Sequence, residues 1–535
     1  MRVDIAIVGG GLGGVAAALA ATDGGARVAL VTDGTWLGGQ LTAQAVPPDE
    51  HPWVEQFGVT ASYRRLREEI RGYYRRHYPL TREALLAREL NPGAGLVSRL
   101  CHEPRVAVSA IEALLAPARA AGRLHVLAPY VVVGVESDGA RAASLALAHT
   151  ADDATTDRSV EATYVLDATE TGELLPLARV PYVTGAESTE ETGEPSAPDT
   201  ADPLNMQAVS WCFAMDHVDG DHTIDRPDTY DYWRAQRPDF WPGPLLGFSW
   251  PNPRTLEPSH GWLAPNPDDD PLAVVADQSK EPGTDDLWRF RRIVARGQFK
   301  PGAFDSDVTL VNWPMIDYLD GPVFEVSKDA AAKHLEGARD LALSALYWMQ
   351  TEAPRPDGGT GFPGLRLRPD ITGTADGLAQ QPYFRESRRI RAVTTVVEQD
   401  LSYSVRGGHG AVTYADSVGI GMYRIDLHPS TSGDNYLDVP SCPFQIPLGA
   451  LLPAGGGNVL PAGKNIGTTH ITNGAYRLHP IEWNIGEAVG ALAAHCVATG
   501  LTPTAVHEDA GHLASYQALL DARGVERAWP SVGPY

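Results

Sequence analysis

Three glycines near the start of the chain, Gly9, Gly11 and Gly14, stand in the spacing G-x-G-x-x-G within IVGGGLGGVAAAL. The first permits a tight turn, the second lets backbone approach a pyrophosphate, and the third lets a helix pack closely on a strand. Leu12 opens that helix, whose N-terminal amides and dipole attract an anion. The chemistry is that of holding a dinucleotide. The same spacing recurs at Gly359, Gly361 and Gly364, but Pro363 and the lack of a preceding strand make that copy a loop. A second concentration of chemistry is PYFRESRRIR, where Arg385, Arg388, Arg389 and Arg391 gather in an acidic chain. Guanidinium forks suit a carboxylate or phosphate, on a substrate or on a cofactor, and Arg385 and Arg388 are taken as site residues. A solvated edge paired with Glu386 and other acids is the competing reading.

The elements around these residues follow from patterning. DIAIV and RVALV read as buried strands joined by an Ala-rich helix ending at Gly24–Gly25, a βαβ opening. After the second strand comes TWLGGQLTAQ, and no second strand-linked fingerprint appears, which favours one dinucleotide held as a prosthetic group. HVLA, YVVVGVES, ASLALAH and ATYVLDAT, between 125 and 169, read as a meander with a turn at Asp138–Gly139. The Glu-, Ser- and Pro-rich stretch from about 185 reads as a solvated loop, and 206–325, rich in Trp, Pro and Asp, as an irregular cap. Ser327 caps a long helix. NVLPAG is a last strand, followed by a helix from Pro480 and an amphipathic helix near 505–522. The basic run at 63–78 reads as helix surface.

Composition removes several function classes. The 535 residues are 43% hydrophobic and 21% charged, a globular balance, and the net charge of −24 disfavours nucleic acid and anionic membrane as partners. The four cysteines form no C-x-x-C pair, so no metal site or disulfide framework is expected. MRVDIAIVGGG enters a strand with no charged leader, and no stretch approaches the ~20 apolar residues of a span. A soluble, cytoplasmic chain is expected, its oligomeric state open.

Several segments together resemble the FAD-dependent oxidoreductases of the glutathione-reductase-like superfamily, in particular a large and mostly uncharacterised bacterial and fungal branch. They are IVGGGLGG, TWLGGQLT, NPGAGLVSRLCHEP, YVLDATETGELLPLARVPY, NWP, PYFRESRRI, YRIDLHPS and FQIPLGALLPAGGGNVLPAGKNIGTTHITNGAYRLHPIEWNIGEAVGALAA, in order along nearly the whole chain. The resemblance implies an α/β fold: a Rossmann-like FAD-binding domain of glutathione-reductase type with a β-meander and an inserted α+β or irregular substrate or cap domain. Residues 1–180 and 441–500 would form the two parts of the FAD-binding domain, 181–440 the substrate or cap domain, and 501–535 a C-terminal helix and tail. FAD is implied, bound noncovalently, although Cys101 beside His102 raises covalent attachment. Gly463, Lys464, Asn465 and Ile466 would pass the ribityl chain and flavin, Gly38, Gly39 and Gln40 the pyrophosphate, and Ala168, Thr169 and Gly172 of the DATETG segment would also touch cofactor. The family usually ends its second strand with a glutamate for the adenosine ribose. This chain has Thr32 there, and Asp33 follows one place late.

For an FAD enzyme of this kind, reduction places charge near N1–C2=O, and the helix beginning at Pro480, with His479, Ile481 and Trp483 at its start, is placed to stabilise it. Passing hydride to flavin N5 requires a base for the heteroatom proton, for which His428, His470 and His479 are candidates, with His428 and His470 preferred. Trp313 and the aromatics of 211–262 line a pocket or pack a core. The expected function is two-electron oxidation of a small polar metabolite, reoxidised by oxygen or another acceptor. The alternatives are a flavin monooxygenase served by an external reductase, or a lyase or scaffold carrying redox-silent FAD.

Overall fold

The computed structural model describes residues 1–138, 141–276 and 285–534. Five parallel strands form the floor on which everything else is placed. β1 (Arg2–Val8), β2 (Val28–Val31) and β3 (Leu124–Leu127) lie side by side, and β6 (Asp152–Asp167) flanks β1 on its other edge. The strand Val459–Pro461 returns from far along the chain to pair with the end of β6. These strands are short apolar runs because both faces are covered, the usual signature of a parallel sheet. β5 (Arg141–His149) pairs antiparallel with β4 (Tyr130–Asp138) on one side and with the first part of β6 on the other to make the meander. HVLA is therefore not part of the meander. It belongs to β3, a parallel edge strand reached by the crossover helix Pro104–Ala120. The expected turn at Asp138–Gly139 lies partly outside the described residues.

Register makes the strand ends a single rim. Val8 pairs with both Val31 and Asp167, and Asp167 with Pro461. The loops beginning at Gly9, Thr32, Ala168 and Ala462 all leave the sheet at that level. α1 (Leu12–Asp23) is buried on nearly every side, between the sheet and the helix His479–Thr499. The two helices touch through backbone: a Cβ on Gly486 would strike the Gly13 carbonyl.

Residues 206–325, expected to be irregular, contribute three strands of a four-stranded antiparallel sheet, in the order Arg292–Val294, Val308–Val311, Phe213–His217 and Leu365–Leu367. Each strand is too short to display a period. The helix Lys328–Thr351 is capped by Ser327, whose side chain accepts from the Ala330 amide at 3.2 Å.

Three other expectations are corrected, two of them by buried or docked charge and one by a helix cap. The stretch from 185 docks: the Glu187 carboxylate accepts from the His470 amide and Arg389, and Glu194 accepts from the Glu398 amide at 2.8 Å. In the helix Ala61–His77, Arg67 and Arg71 are buried and pair with Glu50 and Glu55 rather than with solvent. Composition alone does not reveal such partners, because they arrive from distant loops. The C-terminal helix is two helices, Pro503–Glu508 and Ala510–Ala522, because the Asp509 side chain caps the second by accepting from the Gly511 and His512 amides. Among the described residues no helix is long and apolar enough to cross a membrane.

Candidate functional site

At the rim, Gly9 lies at φ +107°, and a Cβ there would strike the Ala168 carbonyl, so the turn into α1 requires glycine. A cavity of about 230 Å³ opens along the strand ends, lined by Gly9, Gly11, Thr32, Asp33, Ala168 and Thr169 among others. Thr32 is buried against Gly10, whereas the Asp33 carboxylate stands at the cavity and accepts from Gln381 Nε2 at 2.8 Å. The loop Gly38–Gln40 lies directly on this turn, with the Gly38 amide donating to the Gly10 carbonyl at 2.7 Å. From the opposite side, Lys464 pairs with Glu170, and Asn465 Nδ2 donates to the Asp167 carbonyl at 3.0 Å. Ile466 is buried beneath them.

A second cavity, of about 270 Å³, lies under the cap sheet and is lined by Asp49, Arg291, Trp313, Asp426, His428 and Tyr436 among others. His428 Nδ1 is 2.6 Å from Asp317 Oδ2. Asp317 also accepts from Ser210 Oγ at 2.6 Å and pairs with Arg385 at 3.0 Å. Burial, and then the Arg385 charge, hold His428 below the usual imidazole range, so the ring is a neutral base near pH 7. Burial opposes ionisation of Asp317, but the Arg385 charge, with hydrogen bonds from His428 and Ser210, outweighs it and holds the carboxyl below its ordinary value. With Nδ1 taken by Asp317, Nε2 is the nitrogen left for a ligand.

One short segment contacts residues that line both cavities, Asp49 and Asp426 at the second and Gly11 at the first. Arg477 donates to Asp426 Oδ2 at 3.2 Å, and His479 Nδ1 accepts from the Asp49 amide at 3.1 Å, both on the side of the second cavity. Three residues after His479, Glu482 Oε1 accepts from the Gly13 amide of α1 at 3.2 Å. Gln40 Nε2 closes the link, donating both to Glu482 and to the Arg477 carbonyl.

A family model described as FAD dependent oxidoreductase matches residues 4–520. The chain belongs to this family. FAD is its cofactor. The two cavities are thus those of a family oxidoreductase. THI4 from Thermovibrio ammonificans is 21% identical over 37% of this chain and 76% of its own, with a TM-score of 0.23. Glycerol-3-phosphate dehydrogenase from Bacillus halodurans, complexed with FAD, is 14% identical over 40% of each chain, at 0.24. The anhydrotetracycline hydroxylase OxyS from Streptomyces rimosus is 12% identical over 98% of this chain and 66% of its own, at 0.32. No curated protein sequence matches the chain. Likenesses at these scores assign neither reaction nor substrate.

The donors present in this oxidoreductase fit FAD. The glycine cradle, the first turn of α1 and the exposed carboxylate of Asp33 offer the groups a dinucleotide needs. Gln40 Oε1 and both polar ends of the Gln44 side chain are buried with no partner of their own.

Several expected site residues are placed differently. Arg385 is consumed by Asp317 and the Ala208 carbonyl, and Arg388 by Glu325 and the Thr171 carbonyl, so neither guanidinium is a fork offered to substrate. His470 is buried in an ion pair with Glu386 at 2.7 Å. Burial alone would lower its pKa, but Glu386 outweighs burial and raises it, so His470 is biased toward its charged, paired form rather than offered as a base. His479 is pushed by burial to about 3 and stays neutral. The Ile481 and Glu482 amides are spent on the Leu478 carbonyl. Ile481 faces Gly421 and the Trp483 indole donates to Ser62 Oγ at 2.7 Å, so both side chains point away from the rim. Gly172 packs on Arg388. Cys101 is buried, its thiol pushed by burial to about 12 and donating to the Ser98 carbonyl, unsuited to attack a flavin. Sequence reasoning missed Asp317, four residues beyond Trp313, because nothing local marks it as a partner of His428. Arg477 lay in plain view in YRLHP, next to the histidine that drew attention.

Proposed function

We propose that the chain oxidises a small polar metabolite held in the cavity under the cap sheet, with His428 as the general base and Asp317 as its positioning residue. The observation that carries this is the 2.6 Å contact between His428 Nδ1 and Asp317 on the wall of that cavity. When bound, FAD supplies a two-electron acceptor. Asp317 fixes the tautomer, so that Nε2 takes the proton from a substrate hydroxyl or amine and Asp317 offsets the imidazolium charge that results. Arg385, Ser210 and Asp317 form a rigid backing that holds the ring while the proton moves. Arg477, Asp426 and Asp49 present fixed charges beside the base, and the apolar walls of Trp313 and Tyr436 exclude water.

On this reading the adenosine end of FAD lies with Thr32 and Asp33, the pyrophosphate with Gly9, Gly11, Leu12 and the Gly38–Gln40 loop, and the ribityl and flavin end with Gly463 to Ile466. Ala168 and Thr169 close the same groove. Anaerobic stopped-flow mixing with a panel of alcohols, amines, sugars and hydroxy acids tests the function through bleaching of the flavin absorbance. At least one substrate is expected to bleach wild type and to bleach His428→Ala about 10²-fold more slowly, the usual scale for a lost general base. Equal rates would remove His428 from the chemistry, and no bleaching across the panel would leave oxidation of small polar metabolites without support.

A further inference from the structure

We propose that Glu482 receives the FAD pyrophosphate as a neutral acid, so that loading the cofactor takes up one proton from solvent onto this side chain. The cradle that G-x-G-x-x-G builds for an anion is shared with two carboxylates of the chain itself. Glu482 Oε1 takes the Gly13 amide of α1 at 3.2 Å, a donor in the turn whose amides hold phosphate. A Cβ on Gly11 would come within 2.9 Å of Glu170 Oε1 and 3.2 Å of Glu482 Oε1, so both carboxylates stand over the bare backbone that a pyrophosphate has to approach.

The charges facing this point are few. Glu170 arrives from the end of β6, Glu482 from the first turn of the helix His479–Thr499, and Lys464 from the loop after Val459–Pro461. Lys464 is already engaged by Glu170. One cation against two carboxylates leaves an excess negative charge before FAD brings the two of its pyrophosphate. Like charges gathered in a dry site force one of them to protonate.

Glu482 is the one suited to do so. It is buried, and among the described residues its oxygens accept from the neutral donors Gly13 N–H and Gln40 Nε2, whereas Glu170 holds the ammonium group directly. Burial pushes Glu482 up, Lys464 opposes this, and Glu170 adds to it. On gaining a proton the carboxyl changes from a competitor for amides into a hydrogen-bond donor, which is what phosphate oxygens accept.

This rests on the cofactor placement given above, which a Gly11→Val variant tests alone: it is expected to lose FAD, and retention of FAD would overturn the placement and this proposal with it. The proton is tested on full-length protein stripped of FAD and titrated with FAD from pH 5.5 to 8.5, with flavin fluorescence quenching as the signal. Wild-type Kd is expected to rise with pH, approaching tenfold per unit between the protonation points of Glu482 in the free and loaded protein. Glu482→Gln is expected to bind more tightly at pH 8 and to lose the slope, while Glu170→Gln keeps it. Calorimetry of wild type in phosphate and in Tris, whose ionisation heats differ, counts the protons directly and decides the matter even if a variant fails to fold. One proton per FAD is expected. A count of zero, a flat wild-type profile, or a slope that survives in Glu482→Gln overturns the proposal.

Discussion

His428 and His470 stand on either side of one glutamine. The Gln207 side-chain oxygen accepts from the His428 backbone N–H at 3.2 Å, and the Gln207 backbone N–H donates to Glu386, the partner of His470, at 2.9 Å. Although neighbours through Gln207, the two imidazoles have opposite electrostatics: burial and then Arg385 depress one, whereas at the other burial is outweighed by Glu386, which raises it.

Asp317→Asn should slow flavin reduction about 10²-fold or more while leaving bound FAD and its spectrum intact, because the asparagine favours the wrong histidine tautomer. Stopped-flow rates against pH are the measurement. In wild type the neutral base is required and its pKa is depressed, so the rate should fall only on the acid side, below the ordinary histidine value of 6.5.

His470→Ala should behave differently, losing about 2 kcal/mol of stability through the broken buried pair while flavin reduction in the folded fraction stays within about threefold of wild type. The pKa of His470 is raised in the folded state, so its stabilisation is fully present below about 6.5 and lost as pH rises through the folded value. The gap between denaturant melts of wild type and variant should therefore narrow at alkaline pH; a gap independent of pH would contradict the raised pKa of His470.

Thr32→Glu should weaken FAD binding about tenfold rather than restore a missing contact. Thr32 is buried against Gly10, and Asp33 already offers a carboxylate at the same end of the cavity. Fluorescence titration of FAD decides this, and Asp33→Asn should weaken binding in the same assay.

Gly486→Ala should destabilise by about 3 kcal/mol, because the added methyl meets the Gly13 backbone, which cannot move without moving α1. Loss of FAD should accompany the lowered melting temperature, since α1 carries the cradle.

Much of the cofactor end is legible in the chain because it is local. Gly9 to Gly14 fix a turn by the absence of side chains, DIAIV and RVALV fix two buried strands by their apolar runs, and Ser327 caps its helix through the next three residues. Such features depend on contacts within one or two turns of sequence, where residue type dictates geometry. The FAD-dependent family likewise follows from ordered segments.

Tertiary structure alone decided the rest. Asp317 meets His428 and Glu386 meets His470 across long stretches of chain, Glu50 folds back onto Arg67 from the segment before its helix, and whether a charge is solvated, paired or catalytic depends on those meetings. PYFRESRRIR contains the same guanidinium groups whether they face substrate or each find a carboxylate, and only the folded chain shows that Arg385 goes to Asp317 and Arg388 to Glu325. The physical reason is that the energy of a charge is set by burial and by neighbours within a few ångströms, and those neighbours are brought together by the sheet register and the cap rather than by spacing along the chain.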